Sequence, residues 1–361
     1  MSRASGSQIG GYEGQSQLKF NVGVETEAPL SVTRQGHLLR VYEPLEELAR
    51  LFNEKGLSAY ASPVDHEHDH TKWAITLDTS IAIAYELDGK GAPIEIKSPV
   101  LAVHDLTYQD KFRTMWEIIA PLKIRNIEYW KMCSTHIHFS LVDVGRFPIE
   151  IAKKLAFCVV YFEQAIDDLM PAMTHEADTK RPNGWKNFYR FARRNKEAIR
   201  NTWCLDDLNR IMCYDEDEYR QRCGCEHKNF KWSFKGRNFE TIEFRQMPPS
   251  RSAQETLDWI TFTTAFVQAA ASVDMSKLNR ALELRASKYT FTEALGLGLS
   301  HTQDSQWEME RHWASDTSDL RMDWTQLLRF VDCDDGVWTR VIAVRDRMEK
   351  DLAALPKTKQ K

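Results

Sequence analysis

The sequence predicts an α+β fold: a largely antiparallel sheet with one polar face, helices packed on the other side, and a helical C-terminal third. Three observations lead there. First, four short strand-like segments alternate an acid or imidazole with an apolar or β-branched residue. They are Gly23-Val24-Glu25-Thr26-Glu27, Pro93-Ile94-Glu95-Ile96, Thr135-His136-Ile137-His138 and Thr241-Ile242-Glu243-Phe244-Arg245. Second, residues i and i+2 of a strand share a face, so Glu25 lies beside Glu27, His136 beside His138 and Glu243 beside Arg245. Third, these strands are interleaved with amphipathic helical stretches, and the chain beyond Ser252 is mostly helical in pattern.

The elements follow in order. Met1 to Gln17 is rich in Gly, Ser and Gln, has no apolar core, and reads as a disordered leader, not a secretory signal. A single domain is expected over 18–355, with a short tail over 356–361. Leu18 to Glu27 alternates as a strand. Pro44 to Lys55 has helical period, with Leu45, Leu48, Leu51 and Phe52 on one side. Ser62 to Thr71 is a polar loop in which His66, His68 and His70 alternate with acids. Trp73 to Leu77 and Ile81 to Leu87 read as strands around the turn Asp78-Thr79-Ser80. Asp88-Gly89-Lys90-Gly91 is a hairpin-like turn leading into Ile94 to Ile96. Ser98-Pro99 ends that strand, because proline cannot donate to a central ladder.

His104 to Ala120 reads as a helix that Pro121 stops or kinks. Tyr129 to Leu141 is the strand carrying both histidines. Pro148 to Met170 is a long helix with proline at its start. The polar, charged stretch 174–229 reads as a lid or substrate-specificity insert. Phe230 to Met247 is a hairpin turning near Gly236. Ser252 to Ser272 is a helix whose Ser252 and Glu255 have the spacing of a capping box. The part from 252 to 355 is mostly helical.

Composition excludes several classes. The chain has 361 residues, 42% hydrophobic and 28% charged, enough for a substantial core. A net charge of −4 and a pI of about 6.3 argue against a general nucleic-acid binder. The longest uncharged stretch, Trp259 to Val273, is short for a membrane span and reads as a buried helix. Seven scattered cysteines, an odd number, fit a reducing, cytoplasmic compartment better than a disulfide framework.

If Glu25, Glu27, Glu95 and Glu243 converge, their mutual repulsion raises their pKa values and destabilises the site. Two divalent cations would cancel that charge, and carboxylates with one imidazole suit Mg²⁺ or Mn²⁺ better than zinc. A nucleotide triphosphate adds further negative charge, which Arg245, Lys97 and the cluster Lys231, Lys235 and Arg237 can balance. Each motif alone has a plainer reading: a solvated strand face, satisfied histidines, or a surface ion pair worth little. The joint case rests on co-occurrence. The cluster Cys213, Cys223, Cys225 and His227 lacks the usual two-residue gap of a zinc knuckle, and whether it binds metal stays open. Trp185, Phe188, Tyr189 and Phe191, interleaved with basic residues, read as a packed helix with a basic outer face.

The ordered set Glu-x-Glu, Trp…Asp-x-Ser, Glu-Ile-x-Ser-Pro, His-x-His and Thr-x-Glu-Phe-Arg resembles the amidoligase family. That family belongs to the glutamine synthetase and glutamate–cysteine ligase superfamily of carboxylate–amine ligases. The resemblance runs from about Phe20 to about Ala271. It implies that Glu27 and Glu95 hold one metal and that Glu25, His136 and Glu243 hold a second. It implies that Arg245 binds the transferring phosphoryl group or a substrate carboxylate. His138 and Ser140 would lie near the nucleotide, and Asp78 would face the acceptor. The implied chemistry is ATP- and Mg²⁺-dependent amide-bond formation through an acyl phosphate. It joins a small-molecule or peptide carboxylate to an amine, with neither nucleic acid nor membrane as partner. The sequence leaves the oligomeric state open.

The sequence departs from the family pattern in three places. Asp78-Thr79-Ser80 stands for Asp-Gly-Ser, Met247-Pro248-Pro249-Ser250 for a Gly-Thr segment, and Lys231-Trp232-Ser233 for an Asn-containing one. These departures bear on substrate identity more than on metal binding. Two rival readings remain at this level: a silent nucleotide- or peptide-binding relative and a metal-dependent hydrolase. All the metal-capable positions are filled, which favours activity; the one His-Glu-x-x-His string, His66 to His70, lies in the polar loop and not in a helical pattern, where a metalloprotease would need it.

Overall fold

The computed structural model describes residues 18–38, 42–62, 69–78, 91–124, 130, 133–142, 147–167, 169–170, 198–213, 231–235, 241–276, 331 and 335–354. Within them, alternation decides the strands. β1 (Phe20–Leu30) turns Phe20, Val22, Val24, Ala28 and Leu30 to a buried apolar face. The other parity carries Asn21, Gly23, Glu25 and Glu27. Ala59–Ala61 (β4), Trp73–Leu77 (β5), Ala92–Lys97 (β6), Leu101–Ala102 (β7), Thr135–Leu141 (β8), Trp232–Lys235 (β9) and Thr241–Met247 (β10) complete the main sheet. β2 (Thr33–Arg34) and β3 (His37–Leu38) form a separate small ribbon.

The sheet order is β4-β5-β6-β1-β8-β10-β9, with β7 also on β1. All pairs are antiparallel except β4 with β5. The four strands that carry the sequence motifs are therefore neighbours, β6-β1-β8-β10, at the middle of the sheet.

Helices cover the apolar face. α1 (Glu43–Glu54) packs on β4 and β5. α2 (Thr107–Ile119), α3 (Ile149–Asp167) and α5 (Ala253–Ser272) pack against one another, with α5 in contact with both others and with β8. α4 (Leu205–Met212) lies on β9, and α6 (Asp335–Ala353) lies on α5. Aromatic rings join sheet to helices. Trp232 stacks on Phe244 with centroids 4.4 Å apart and meets Phe266 of α5 at 5.5 Å. Trp73 sits between Phe52 of α1 and Phe112 of α2. Each such ring contributes about 1.5–3 kcal/mol by leaving water.

α5 is buried along most of its length, which is why its sequence shows so weak a polar face. Several of its polar residues find partners nearby. Trp116 Nε1 donates to Thr256 Oγ1 at 2.9 Å, and Arg340 of α6 holds Asp258. Half of the predicted capping box is present, Glu255 N donating to Ser252 Oγ at 3.3 Å, while Glu255 Oε2 accepts from Arg251 N, one residue before the cap, at 2.9 Å. Among the described residues no helix is long and apolar enough to cross a membrane.

Three boundaries differ from the sequence expectation. The histidine strand begins at Thr135, not Tyr129, and Trp130 is helical, its indole N–H tied to Ile124 O at 2.6 Å. α2 starts at Thr107, where the Asp105 carboxylate accepts from Thr107 N, and not at His104. Pro148 precedes α3 and its carbonyl accepts from Ile151 and Ala152. Pro121 does act as a stop: α2 passes there into the 3-10 turn Ala120–Leu122. The leader, the Ile81–Leu87 strand, the turn over 88–90, the 174–197 and 214–229 parts of the insert, the Cys223–Cys225–His227 group and the span 277–330 lie outside the described residues.

α1 carries one buried acid outside the sheet. Glu47 is 3% exposed and accepts from Arg34 at 2.6 Å and from Arg50 at 2.6 Å, tying the β2–β3 ribbon to the helix. The hydrogen bond from Arg50 first, then Arg34, outweighs burial and lowers its carboxyl from 4.5 to about 2. A lowered carboxylate stabilises the fold above its unfolded pKa and loses that contribution as pH falls through the folded one. Both arginines are about half exposed, so the network is worth on the order of 1 kcal/mol. Glu47→Gln is expected to lower the thermal midpoint by a few degrees at neutral pH. The gap from wild type should close between pH 4.5 and 2. A gap that persists at pH 2 would remove ionisation as its cause.

Candidate active site

The polar parity of the central strands forms one face, and the register sets its rows. Across one row Glu25 of β1 lies between Lys97 of β6 and His136 of β8. In the next, Glu27 faces Glu95, which faces Thr76 of β5. In the row on the other side, Gly23 faces His138, which faces Glu243 of β10 and then Ser233 of β9. Ser140 continues this face opposite Asn21. Asp78 follows β5 directly, its N–H donating to Pro93 O at 3.2 Å.

Like charges directly opposite in a sheet destabilise it, and Glu27 against Glu95 is such a pair. Both carboxyls respond. Burial first, then the charges of Asp78 and Glu95, raises Glu27 well above the usual carboxylate range, against the hydrogen bond from Ser134. Burial, with the charge of Glu25, pushes Glu95 up to about 8, against the pull of Lys97 at 3.1 Å. Thr76 Oγ1 donates to Glu95 Oε2 at 3.2 Å.

The imidazoles sit among these acids. His136 Nδ1 is 3.1 Å from Glu25 Oε2 and 3.7 Å from Glu243 Oε1, and its Nε2 is 3.6 Å from Glu27 Oε1. Burial first, and then the positive charge of Arg245, lowers its pKa, against Glu25 and Glu243, which favours a neutral ring able to bind a metal. His138 Nε2 stands 3.3 Å from Glu25 Oε1 and 3.4 Å from Glu243 Oε1. That nitrogen is buried and makes no hydrogen bond among the described residues.

Arg245 forms an ion pair with Glu243 Oε1, and its backbone N–H donates to Lys231 O at 2.8 Å. Burial opposes its charge, but the carboxylates of Glu243, Glu25 and Glu27 outweigh burial and hold the guanidinium protonated. The ladder between β10 and β8 is irregular between Phe244 and Met247, so Arg245 and Gln246 together oppose His136. Such irregularities re-aim side chains at sites.

Two donor groups emerge. Glu25, His138 and Glu243 bring ligand atoms within 4.8 Å of one another, and so do Glu25, Glu95 and His136. Glu25 belongs to both. The set that the resemblance implies, Glu25, His136 and Glu243, is also close together: His136 Nδ1 lies within 3.7 Å of both carboxylates. Glu27 borders the second group through His136. The residues fit hard divalent cations on this structure's own terms. Five carboxyl groups, Glu25, Glu27, Glu95, Glu243 and Asp78, are gathered with Arg245 and Lys97 as paired cations, and the His138 nitrogen aims at two carboxylate oxygens.

Of the remaining predicted residues, Lys231 is buried beside Arg245 and Lys235 lies opposite Thr241, on the parity of Ser233. Arg237 lies outside the described residues. Sequence reasoning missed Ser134 and Thr76, which orient Glu27 and Glu95. A signal existed for both: Ser134 precedes His136 by two positions, and Thr76 precedes Asp78 by two.

This largely buried face of acids and imidazoles, with a like-charge pair in it, is the candidate active site. The model of the family described as "putative amidoligase enzyme" matches residues 19–267, the whole of this sheet included. The chain belongs to that amidoligase family, and with it to the amide-bond-forming ligases. Among curated proteins none matches this chain.

Proposed function

We propose that this protein is an ATP-dependent carboxylate–amine ligase working at a divalent-metal site on the sheet face. One observation carries the reading: two donor groups share Glu25 on a face whose acids outnumber its paired cations. Mg²⁺ or Mn²⁺ would be held by Glu25, Glu95 and His136, with Glu27 adjoining, and by Glu25, His138 and Glu243. Bound there, the metal would supply charge neutralisation and polarise the phosphoryl oxygens.

The chain's own residues do the rest. The Arg245 fork takes the transferring phosphoryl group or the substrate carboxylate, in the bidentate geometry a guanidinium favours. Ser140, Lys231 and Lys97 serve the nucleotide side, joined by His138 where it is not occupied by metal. Asp78, beside Glu27 and Glu95, serves the amine. The reaction is a transfer of phosphoryl and then acyl. A carboxylate oxygen attacks the γ-phosphorus of ATP and ADP leaves. The amine nitrogen then attacks the acyl phosphate carbon, phosphate leaves, and the nitrogen gives up its proton. Burial of the face limits access of competing water to the acyl phosphate. The substrates are a small-molecule or peptide carboxylate and an amine.

The test is thermal unfolding of the wild type with and without MgATP. A ligand at about 100 times its Kd adds roughly 2.7 kcal/mol, a shift of a few degrees for a chain of this size. A shift that needs both nucleotide and divalent cation supports the reading and justifies screening carboxylates and amines for ADP release. A shift with the cation alone, and ATP inert, would favour a metal-dependent hydrolase. No shift with any nucleotide or cation would favour a silent relative.

A further inference from the structure

Ser134 stands immediately before β8, buried beside Glu27 and His136. Its backbone N–H and its hydroxyl both point to one oxygen, Glu27 Oε2, at 2.7 and 2.8 Å. Glu27 N returns a bond to Ser134 O at 3.1 Å. The same hydroxyl oxygen lies 2.6 Å from His136 Nε2. One assignment of donors fits these contacts and leaves a ring nitrogen for a metal. A backbone N–H can only donate, so Glu27 Oε2 accepts that bond. A hydroxyl has one proton, and with Glu27 ionised, as a metal-facing carboxylate is, it goes to Oε2. The short contact to His136 Nε2 then requires that nitrogen to carry the ring proton. The other nitrogen, Nδ1, is left with its lone pair facing Glu25 Oε2 at 3.1 Å and Glu243 Oε1 at 3.7 Å. Three acceptors around one point is an arrangement a cation satisfies and a hydrogen bond does not.

We propose that Ser134 is a positioning residue that fixes His136 as the Nε2–H tautomer, presents Nδ1 to the metal, and locks the Glu27 carboxyl in place. The inference rests on the metal reading above, but the tautomer can be read without metal. Outer partners of metal-bound histidines set ring orientation and tautomer, and their loss typically costs about 10–100-fold in metal affinity.

The experiment is a two-bond ¹H–¹⁵N correlation of the histidine rings at neutral pH, with the His136 signal assigned by its loss in His136→Gln. It is run on metal-free protein and again with Mg²⁺ alone. In the wild type the expected pattern is a protonated Nε2 and an unprotonated Nδ1, the latter shifting on Mg²⁺ addition. Ser134→Ala should give mixed tautomers and about 10–100-fold weaker Mg²⁺ binding by calorimetry. Ser134→Thr, which keeps the hydroxyl, should restore the tautomer. A wild-type ring protonated on Nδ1 would overturn the proposal, as would Ser134→Ala with unchanged tautomer and affinity. If Ser134→Ala fails to fold, the wild-type spectrum alone decides. Should the wild type show the Nε2–H tautomer but bind no Mg²⁺, the metal reading fails while the tautomer assignment holds.

Discussion

Glu243→Gln is expected to reduce ATP turnover by about three orders of magnitude, roughly 4 kcal/mol of lost transition-state stabilisation, and to abolish the cation-dependent thermal shift. Glu243 is fully buried, pairs with Arg245, and brings one oxygen within 3.4 Å of His138 Nε2. Glutamine keeps the volume and an acceptor for Arg245 but removes the negative charge that a divalent cation needs. The fold is expected to persist, because the apolar parity of β10, Ile242 and Phe244, is untouched. ADP release, a Mg²⁺ titration and far-UV circular dichroism check the three parts. Turnover retained in this variant would take Glu243 out of the metal-holding set.

Arg245→Lys is expected to lower turnover by about 100-fold, near 2.7 kcal/mol, while leaving cation binding within a few fold of wild type. The charge beside Glu243 survives this change, so the donor groups keep their balance. What is lost is the planar fork, since an ammonium cannot make two parallel bonds to a phosphoryl group or carboxylate. The position is rigidly set by the Arg245 N–H to Lys231 O bond and by the irregular ladder opposite His136. Lysine's shorter donor therefore has little freedom to compensate. Steady-state kinetics with a parallel Mg²⁺ titration separate this variant from Glu243→Gln: one loses chemistry with metal retained, the other loses both. Near-normal rates in Arg245→Lys would reduce the pair with Glu243 to a structural ion pair.

The two variants show where sequence reasoning was strong. The parity of Glu243 and Arg245 on β10 follows from backbone geometry alone, because successive side chains of a strand point to opposite faces. The same holds for Glu25 with Glu27 and for His136 with His138. Pro44 to Lys55 and Ser252 to Ser272 were legible as helices from period and caps, and both lie within a residue or so of where the pattern puts them. The start of the histidine strand was not: Trp130 is helical, its indole N–H tied to Ile124 O, and the strand begins at Thr135.

Sequence by itself determined which residues face the site, since that depends only on a local two-residue period. It also determined that several carboxylates on one face need positive charge to offset them. Only the tertiary structure decided how those residues are grouped. Strand register depends on contacts between residues far apart in the chain, such as Glu25 with His136, 111 positions on, and no local pattern encodes it. That register makes Glu25 common to both donor groups, sets His138 beside Glu243, opposes Glu27 to Glu95, and places the Ser134 hydroxyl between Glu27 and His136.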